Sequence, residues 1–304
     1  KGIILFAAVF LMTMKLFKNN STEVIENIDE IKKEKRLSLL KKGKLKRKGV
    51  TALCLGGGGT RGFAHIGAIK AFEEAGLQFD IIAGTSAGAI VGALYAYGIS
   101  ADRMLDYGSV LSNRDIHNGN FLMPNDPVKI ARIITDFIGD ATIEDINARQ
   151  GKRFACVAVD LITANQIFFT KGHAATAVSA SACVPLFFRP VVYNGMHLVD
   201  GGVLNNIPTD LCRILGADNV VTVDVNPTRG EGSDKLSTPS VIKTVFSIMS
   251  TNASISGIVD SDVLIPVDTD EFSSASKEGF SEMYKRGYDA AKNKIYDITK
   301  VMFK

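Results

Sequence analysis

Ile81-Ile82-Ala83-Gly84-Thr85-Ser86-Ala87-Gly88-Ala89-Ile90-Val91-Gly92-Ala93-Leu94-Tyr95 carries the first structural signal in the chain. A short apolar run enters Gly84-Thr85-Ser86-Ala87-Gly88, and a small-residue helical pattern leaves it. The pentapeptide fits G-x-S-x-G, the spelling of a nucleophile elbow. A strand-to-helix turn that sharp strains its central residue, and Gly84 and Gly88, two positions either side, spare clashes with neighbouring chain. The Ser86 hydroxyl then stands at the N-terminal end of a helix, where partial positive charge favours a developing oxyanion. A glycine-rich turn with an incidental serine would be spelled the same way, so the reading depends on what surrounds it.

Immediately upstream, Val50 to Leu55 is a buried strand that runs into Gly56-Gly57-Gly58-Gly59-Thr60-Arg61-Gly62, and a helix follows from Phe63 to Ala75. The glycine run admits three readings. As a dinucleotide fingerprint it needs an acid about 20 residues on, at the C-terminal end of the next strand. Asp80 has the right spacing but precedes the strand Ile81–Ala83, and Gly84-Thr85-Ser86 stand where the acid belongs. As a phosphate loop it lacks the lysine and hydroxyl after the last glycine, since Phe63 and Ala64 occupy those places. As an oxyanion hole it fits best. Glycines let backbone N–H groups approach a ligand, a helix N-terminus adds positive potential, and in a parallel sheet this loop and the elbow lie at the same carboxyl edge.

A serine nucleophile needs a base. The histidines are His65, His117, His173 and His197, and none follows Asp200, so the order Ser–Asp–His of an α/β-hydrolase could use only Asp160 with His173 or His197. Neither histidine sits in a recognisable loop. His65 reads as packing or capping against the glycine run. Asp200 ends a strand, precedes Gly201-Gly202 and reaches the same sheet edge as Ser86, so a carboxylate acting directly on the serine gives a two-residue site. The alternative for Asp-Gly-Gly is a tight turn. Aspartate ordinarily titrates near 3.9 and histidine near 6.5. Aspartate is the weaker base, so desolvation of the site must raise its effective strength; a Ser–Asp enzyme is still expected to keep activity below pH 6, where a histidine base fades.

Further strand signals lie at 154–159, 166–169, 191–193, 197–199, 220–225 and 263–267, with Asn194-Gly195 as a hairpin turn. Helices are expected at 87–97, across much of 101–138, and near 174–183, 208–215, 240–256 and 280–301. The sum is an α/β fold, a three-layer α/β/α sandwich with a mostly parallel central sheet.

Gly57-Gly58-Gly59-Thr60-Arg61-Gly62, Gly84-Thr85-Ser86-Ala87-Gly88 and Asp200-Gly201-Gly202 together resemble the patatin-like phospholipase family. Phe63-Ala64-His65-Ile66-Gly67-Ala68-Ile69 and Ser179-Ala180-Ser181-Ala182-Cys183-Val184-Pro185 look similar as well. The resemblance covers residues 50–300 and is nearest to small bacterial members related to the neuropathy-target-esterase branch. It implies a Ser–Asp dyad lipid acyl hydrolase that needs no metal or other cofactor. Ser86 would be the nucleophile and Asp200 the base. The N–H groups of Gly57, Gly58 and Gly59 would hold the oxyanion, with Arg61 and Gly62 supporting the loop. Phospholipid or lysophospholipid is the implied substrate. Phe121-Leu122-Met123, Pro185 to Phe188 and the helix near 240–256, with Val245, Phe246, Ile248 and Met249, are expected to bed the acyl chain.

The chain of 304 residues, 46% hydrophobic, is long enough for one large domain plus appendages. Net charge is +3, but residues 1–49 hold 13 Lys+Arg against 5 Asp+Glu (+8), leaving 22 against 27 (−5) for residues 50–304. An acidic body argues against nucleic acid as a partner. Gly2 to Met14 is an apolar run broken only by Thr13, and Lys41 to Lys48 is almost wholly basic. Residues 1–18 are expected to form an apolar anchor or signal-like segment, 19–49 a charged helical and basic linker, and 50–304 the hydrolase domain. Residues 1–48 would meet an anionic membrane surface, each surface lysine or arginine adding on the order of 1 kcal/mol. Lys15 and Lys18 favour the cytoplasmic face; a secreted or envelope location and the oligomeric state stay open. Cys54, Cys156, Cys183 and Cys212 lie apart in apolar contexts and read as free buried thiols.

Overall fold

The computed structural model describes residues 30–111, 124–226, 237–272 and 279–304. Residues 30–41 form helix α1. It belongs to a unit separate from the body, which runs Arg47–Lys304. In chain order the body holds β1 (Thr51–Leu55), α2 (Phe63–Ala75), β2 (Ile81–Thr85), α3 (Ala87–Tyr97), α4 (Ala101–Leu111), α5 (Val128–Ile138) and α6 (Ile143–Gln150). It continues through β3 (Arg153–Asp160), β4 (Asn165–Phe169), α7 (Ala174–Ser181), β5 (Val191–Tyr193) and β6 (Met196–Asp200). Then come α8 (Thr209–Ile214), β7 (Asn219–Asp224), α9 (Thr238–Asp260), β8 (Val263–Pro266) and α10 (Phe280–Met302).

Strands β3, β2, β1, β7 and β8 run parallel in that order. Strands buried on both faces need apolar side chains at every position, which is why β1 reads Thr-Ala-Leu-Cys-Leu without alternation. One face of the sheet (Ala52, Cys54, Ile81, Ala83, Ala155, Val157, Val220) packs on Ile207, Leu211 and Cys212, with Ile258 of α9 beside them. On the other face, a methyl added to Gly92 of α3 would touch Ile82, Phe154 and Leu55. Helices α2 and α10 lie together there, backbone against backbone. A Cβ on Gly67 would fall on the Tyr284 carbonyl, and one on Gly287 on the Ala64 carbonyl. The architecture is the expected three-layer α/β/α sandwich.

The antiparallel additions matter most for the site. β4 lies along residues 156–160 of β3, while β2 pairs with 153–157 and β6 with 158–160. A strand has two edges, so β2 and β6 must share the one that β4 leaves, end to end. Thr85 is registered with Val157, and Asp200 with Ala158, the next residue. The C-terminal ends of two strands entering from opposite directions therefore meet on one strand of the sheet.

Two features differ from the sequence reading, one boundary and one helix. The body begins at Arg47, because the Arg47 guanidinium pairs with Asp80 at 2.7 Å and the Lys48 N–H bonds the Met302 carbonyl at 2.8 Å. The last residues of the basic run are thus tied to the body and are not simple linker. Helix α6 is an addition, nucleated by a reciprocal capping box between Thr142 and Asp145. The β5–β6 turn is as expected, with Asn194 and Gly195 at φ 48° and 80°, the signs a two-residue type I′ hairpin requires.

Candidate active site

Ser86 is the hinge between β2 and α3. Its φ of 55° and ψ of −123° place a non-glycine residue in left-handed territory, a conformation that costs on the order of 1–3 kcal/mol and persists only where the surroundings enforce it. The surroundings do. A Cβ on Gly84 would fall on the Gly88 carbonyl, and one on Gly88 would fall on the Leu55 carbonyl, so both glycines are required by backbone approach. The Ser86 N–H is held by the buried Ser181 hydroxyl at 3.0 Å, and Thr85 Oγ1 donates to the Asn205 carbonyl at 2.8 Å.

The glycine loop lies directly against this turn. A Cβ on Gly57 would come within 3.2 Å of the Ser86 Cβ, and one on Gly62 within 2.8 Å of the Ala87 Cβ. Gly57 itself donates its N–H to the Asn206 carbonyl at 3.0 Å. That bond removes it from the expected set of three oxyanion donors. The N–H groups of Gly58 and Gly59 have no partner among the described residues. Arg61 is buried, with Nε on the Phe272 carbonyl at 2.8 Å and Nη1 on Asn226 Oδ1 at 2.7 Å. It braces the loop from behind.

Asp200 is 1% exposed at the end of β6. Its Oδ1 accepts the Gly202 N–H at 2.7 Å, and Oδ2 has no hydrogen-bond partner among the described residues. Burial pushes the carboxyl up to about 7, while the nearby Ser86 hydroxyl and the Gly202 N–H pull the other way. A carboxylate titrating near neutrality fades over the same range as a histidine, so activity below pH 6 does not separate the two bases. What raises its basicity is desolvation of the charged form.

Among the described residues, the rings of His65 and His173 are engaged elsewhere. His65 Nε2 lies 2.8 Å from the Gly56 carbonyl; a carbonyl only accepts, so that nitrogen carries the proton. Burial lowers this ring to about 4 and keeps it neutral. His173 Nδ1 pairs with the Thr176 hydroxyl at 2.9 Å, and His197 is exposed. His117 lies outside the described residues. Asp160 accepts the N–H groups of Ile162, Thr163 and His197 and the Thr163 hydroxyl, so it caps the β3–β4 turn. Asp80 accepts from Thr51 N–H at the opposite end of the sheet, where no ribose of a nucleotide on the glycine loop could reach it.

Of the expected acyl bed, Phe121-Leu122-Met123 lies outside the described residues. Pro185, Leu186 and Phe187 are half-buried and Phe188 is buried. α9 adjoins the site through Ser250, whose Oγ would lie 3.3 Å from a Cβ on Gly202, and through Ser254, which accepts from Asn206 Nδ2 at 3.0 Å. Its Val245, Ile248 and Met249 face solvent, so the expected acyl bed does not enclose a chain along this part of α9. Ser181, Asn206 and Asn226 were not singled out from sequence. Ser181 lies in a block that was noted, but a lone serine or asparagine in a chain gives no sign of the backbone group it will hold. All four cysteines are free and buried. Among the described residues no helix is long and apolar enough to cross a membrane.

A family model described as patatin-like phospholipase matches residues 53–213, more than half of the chain. An uncharacterized NTE family protein of Mycobacterium bovis is 33% identical over 189 residues, which are 59% of this chain and 32% of that protein. The lysophospholipase nte1 of Aspergillus fumigatus is 34% identical over 181 residues, 57% of this chain and 12% of the relative. The chain therefore spans a third or less of the length of either relative. In fold it is similar to VipD from Legionella pneumophila, with a TM-score of 0.53 at 16% identity over 84% of this chain and 70% of the other. The chain belongs to the patatin-like phospholipase family.

Proposed function

We propose that the protein is a serine lipid acyl hydrolase of the phospholipase A or lysophospholipase type. The observation that carries the reading is that Thr85, the residue before Ser86, and Asp200 are registered with adjacent residues of one strand, with a glycine loop packed on the serine. Ser86 Oγ attacks the ester carbonyl while Asp200 takes its proton. The negative charge that develops on the carbonyl oxygen is met by the Gly58 and Gly59 N–H groups and the start of α3. Collapse expels the lysolipid or glycerol oxygen, which receives the proton from Asp200. Water then repeats the sequence on the acyl-enzyme and releases the fatty acid. A base near 7 is well matched to neutral pH, where about half of the molecules carry the carboxylate.

A lipid substrate is favoured by the family, by the lysophospholipase among the relatives, and by α9, a helix that adjoins the site at Ser250 and Ser254 and exposes Val245, Ile248 and Met249 to solvent. The apolar and basic residues of 1–48 are read as the contact with an anionic membrane surface, on the cytoplasmic face.

The test is fatty-acid release from vesicles of mixed phospholipid and lysophospholipid by wild type, Ser86→Ala and Asp200→Asn. Both variants should remain folded and fall to background, and the products name the ester cut. Activity retained by Ser86→Ala refutes the assignment.

A further inference from the structure

The oxyanion loop has no side chains of its own at Gly57, Gly58 and Gly59, so something outside it must fix the orientation of its peptides. The peptide joining Gly57 to Gly58 is trans, and in a trans peptide the carbonyl and the N–H point in opposite directions. Whatever grips the Gly57 carbonyl therefore aims the Gly58 N–H. Asn226 grips it, with Nδ2 at 2.5 Å from the Gly57 oxygen.

We propose that Asn226 is a positioning residue for the oxyanion loop, setting the direction of the Gly58 N–H by holding the carbonyl on the other side of the same peptide. The inference rests on the hydrolase reading above. Chemistry fixes which way round the amide sits. Arg61 Nη1, 2.7 Å from Asn226 Oδ1, can only donate, and the Gly57 carbonyl can only accept. Only a side chain with a donor and an acceptor on one short stem satisfies both.

Asn226 is in turn held on its own backbone. Its N–H donates to Asp224 Oδ1 at 2.9 Å, and the preceding Val225 carbonyl takes the hydroxyl of buried Thr269. Arg61 is anchored a second time on the Phe272 carbonyl. The clamp thus ties the loop after β1 to the end of β7 and to the segment after β8. The N–H at the other end of Gly57 is fixed by the Asn206 carbonyl. Gly57 is pinned on both sides, and the next N–H in the chain is left to a ligand.

The experiment measures kcat and KM on p-nitrophenyl butyrate for wild type, Ser86→Ala, Asn226→Asp and Asn226→Ala, with thermal melting to count folded protein. Asn226→Asp keeps the acceptor for Arg61 and nearly the same shape, but sets an oxygen against the Gly57 carbonyl. Its kcat per folded molecule should fall by about 10- to 100-fold, less than the roughly 10²–10³ of losing a donor outright. KM should stay within about twofold, because a misaimed donor weakens the transition state more than the bound ester. Asn226→Ala should fall in the same direction. If both variants keep kcat within about twofold while Ser86→Ala is dead, the positioning role is wrong and the nucleophile stands. A loss confined to KM, or one that only tracks loss of folded protein, also overturns it. A wild type without Ser86-dependent hydrolysis fails the functional reading itself and removes the role with it.

Discussion

Asp200→Asn should make the protein more stable as it abolishes turnover, and the gain should depend on pH in a calculable way. Burial holds the Asp200 carboxyl at about 7 in the fold against an ordinary 3.8. Below about pH 4 folded and unfolded chains both hold the proton, and the residue has no pH-dependent effect. Between about 4 and 7 the unfolded chain releases a proton that the folded one keeps, so stability falls as pH rises and levels off above 7. The separation is about three units at about 1.4 kcal/mol each, a deficit of about 4 kcal/mol at pH 8. At pH 5 the same bookkeeping leaves under about 2 kcal/mol. Asparagine cannot ionise and is free of this deficit, and its Oδ1 can still accept the Gly202 N–H. In a body of this size about 2 °C accompanies each kcal/mol. Calorimetry should therefore show Asp200→Asn melting about 8 °C above wild type at pH 8 and about 3 °C above at pH 5. A difference that stays flat from pH 5 to 8, or a variant that melts below wild type throughout, would refute the claim that the fold carries a desolvated carboxylate.

The same titration should shape kinetics: kcat/KM of wild type should rise about tenfold per pH unit up to about 7 and then level off, read on a monomeric ester. Ser181→Ala strips the partner from the buried Ser86 N–H and should cost about 1–3 kcal/mol in denaturant titration, with a fall in kcat as the elbow loosens. Gly287→Ala drives a methyl into the Ala64 carbonyl and should cost about 3 kcal/mol or more, whereas Gly139→Ala, with open space around it, should be limited to the backbone strain of its positive φ. Equal melting temperatures for those two glycine variants would contradict the close packing of α2 on α10.

How much of this was legible in the chain depends on how local the determinant was. β1, the glycine run, α2, β2 and α3 form one uninterrupted βαβ sequence, and each part announces itself by apolar runs and glycines. The elbow could be read because its strain demands glycine at Gly84 and Gly88. The hairpin after β5 could be read from Asn194-Gly195. α6 could have been found from Thr142 and Asp145, a capping box in a stretch of modest hydrophobicity. Which N–H groups of the glycine loop stay free of a partner among the described residues could not, because the bond that occupies the Gly57 N–H comes from Asn206, 149 positions away in the chain. The raised basicity of Asp200 is legible in direction, because a carboxylate that serves as a base has to be desolvated, but not in extent. Sequence places the residue at a strand end but says nothing of how completely later segments bury it.

The seam on β3 has a consequence for how the protein could be switched. The two halves of the site have unequal holdings in the fold. Ser86 is delivered by β2, in the middle of the parallel sheet between β1 and β3. Asp200 is delivered by β6, which is registered with β3 over residues 198–200, is tied at its ends by the His197 N–H on Asp160 and the Asp200 N–H on the Cys183 carbonyl, and carries the three-residue β5 on its other edge. A hairpin at the margin of a sheet is expected to open at less cost than the central strands. Detached, it would carry Asp200 away and leave Ser86, its turn and the glycine loop standing. The fold thus has a socket and a plug, and amide exchange along β5 and β6 faster than along β1 and β2 would show how often the plug is out.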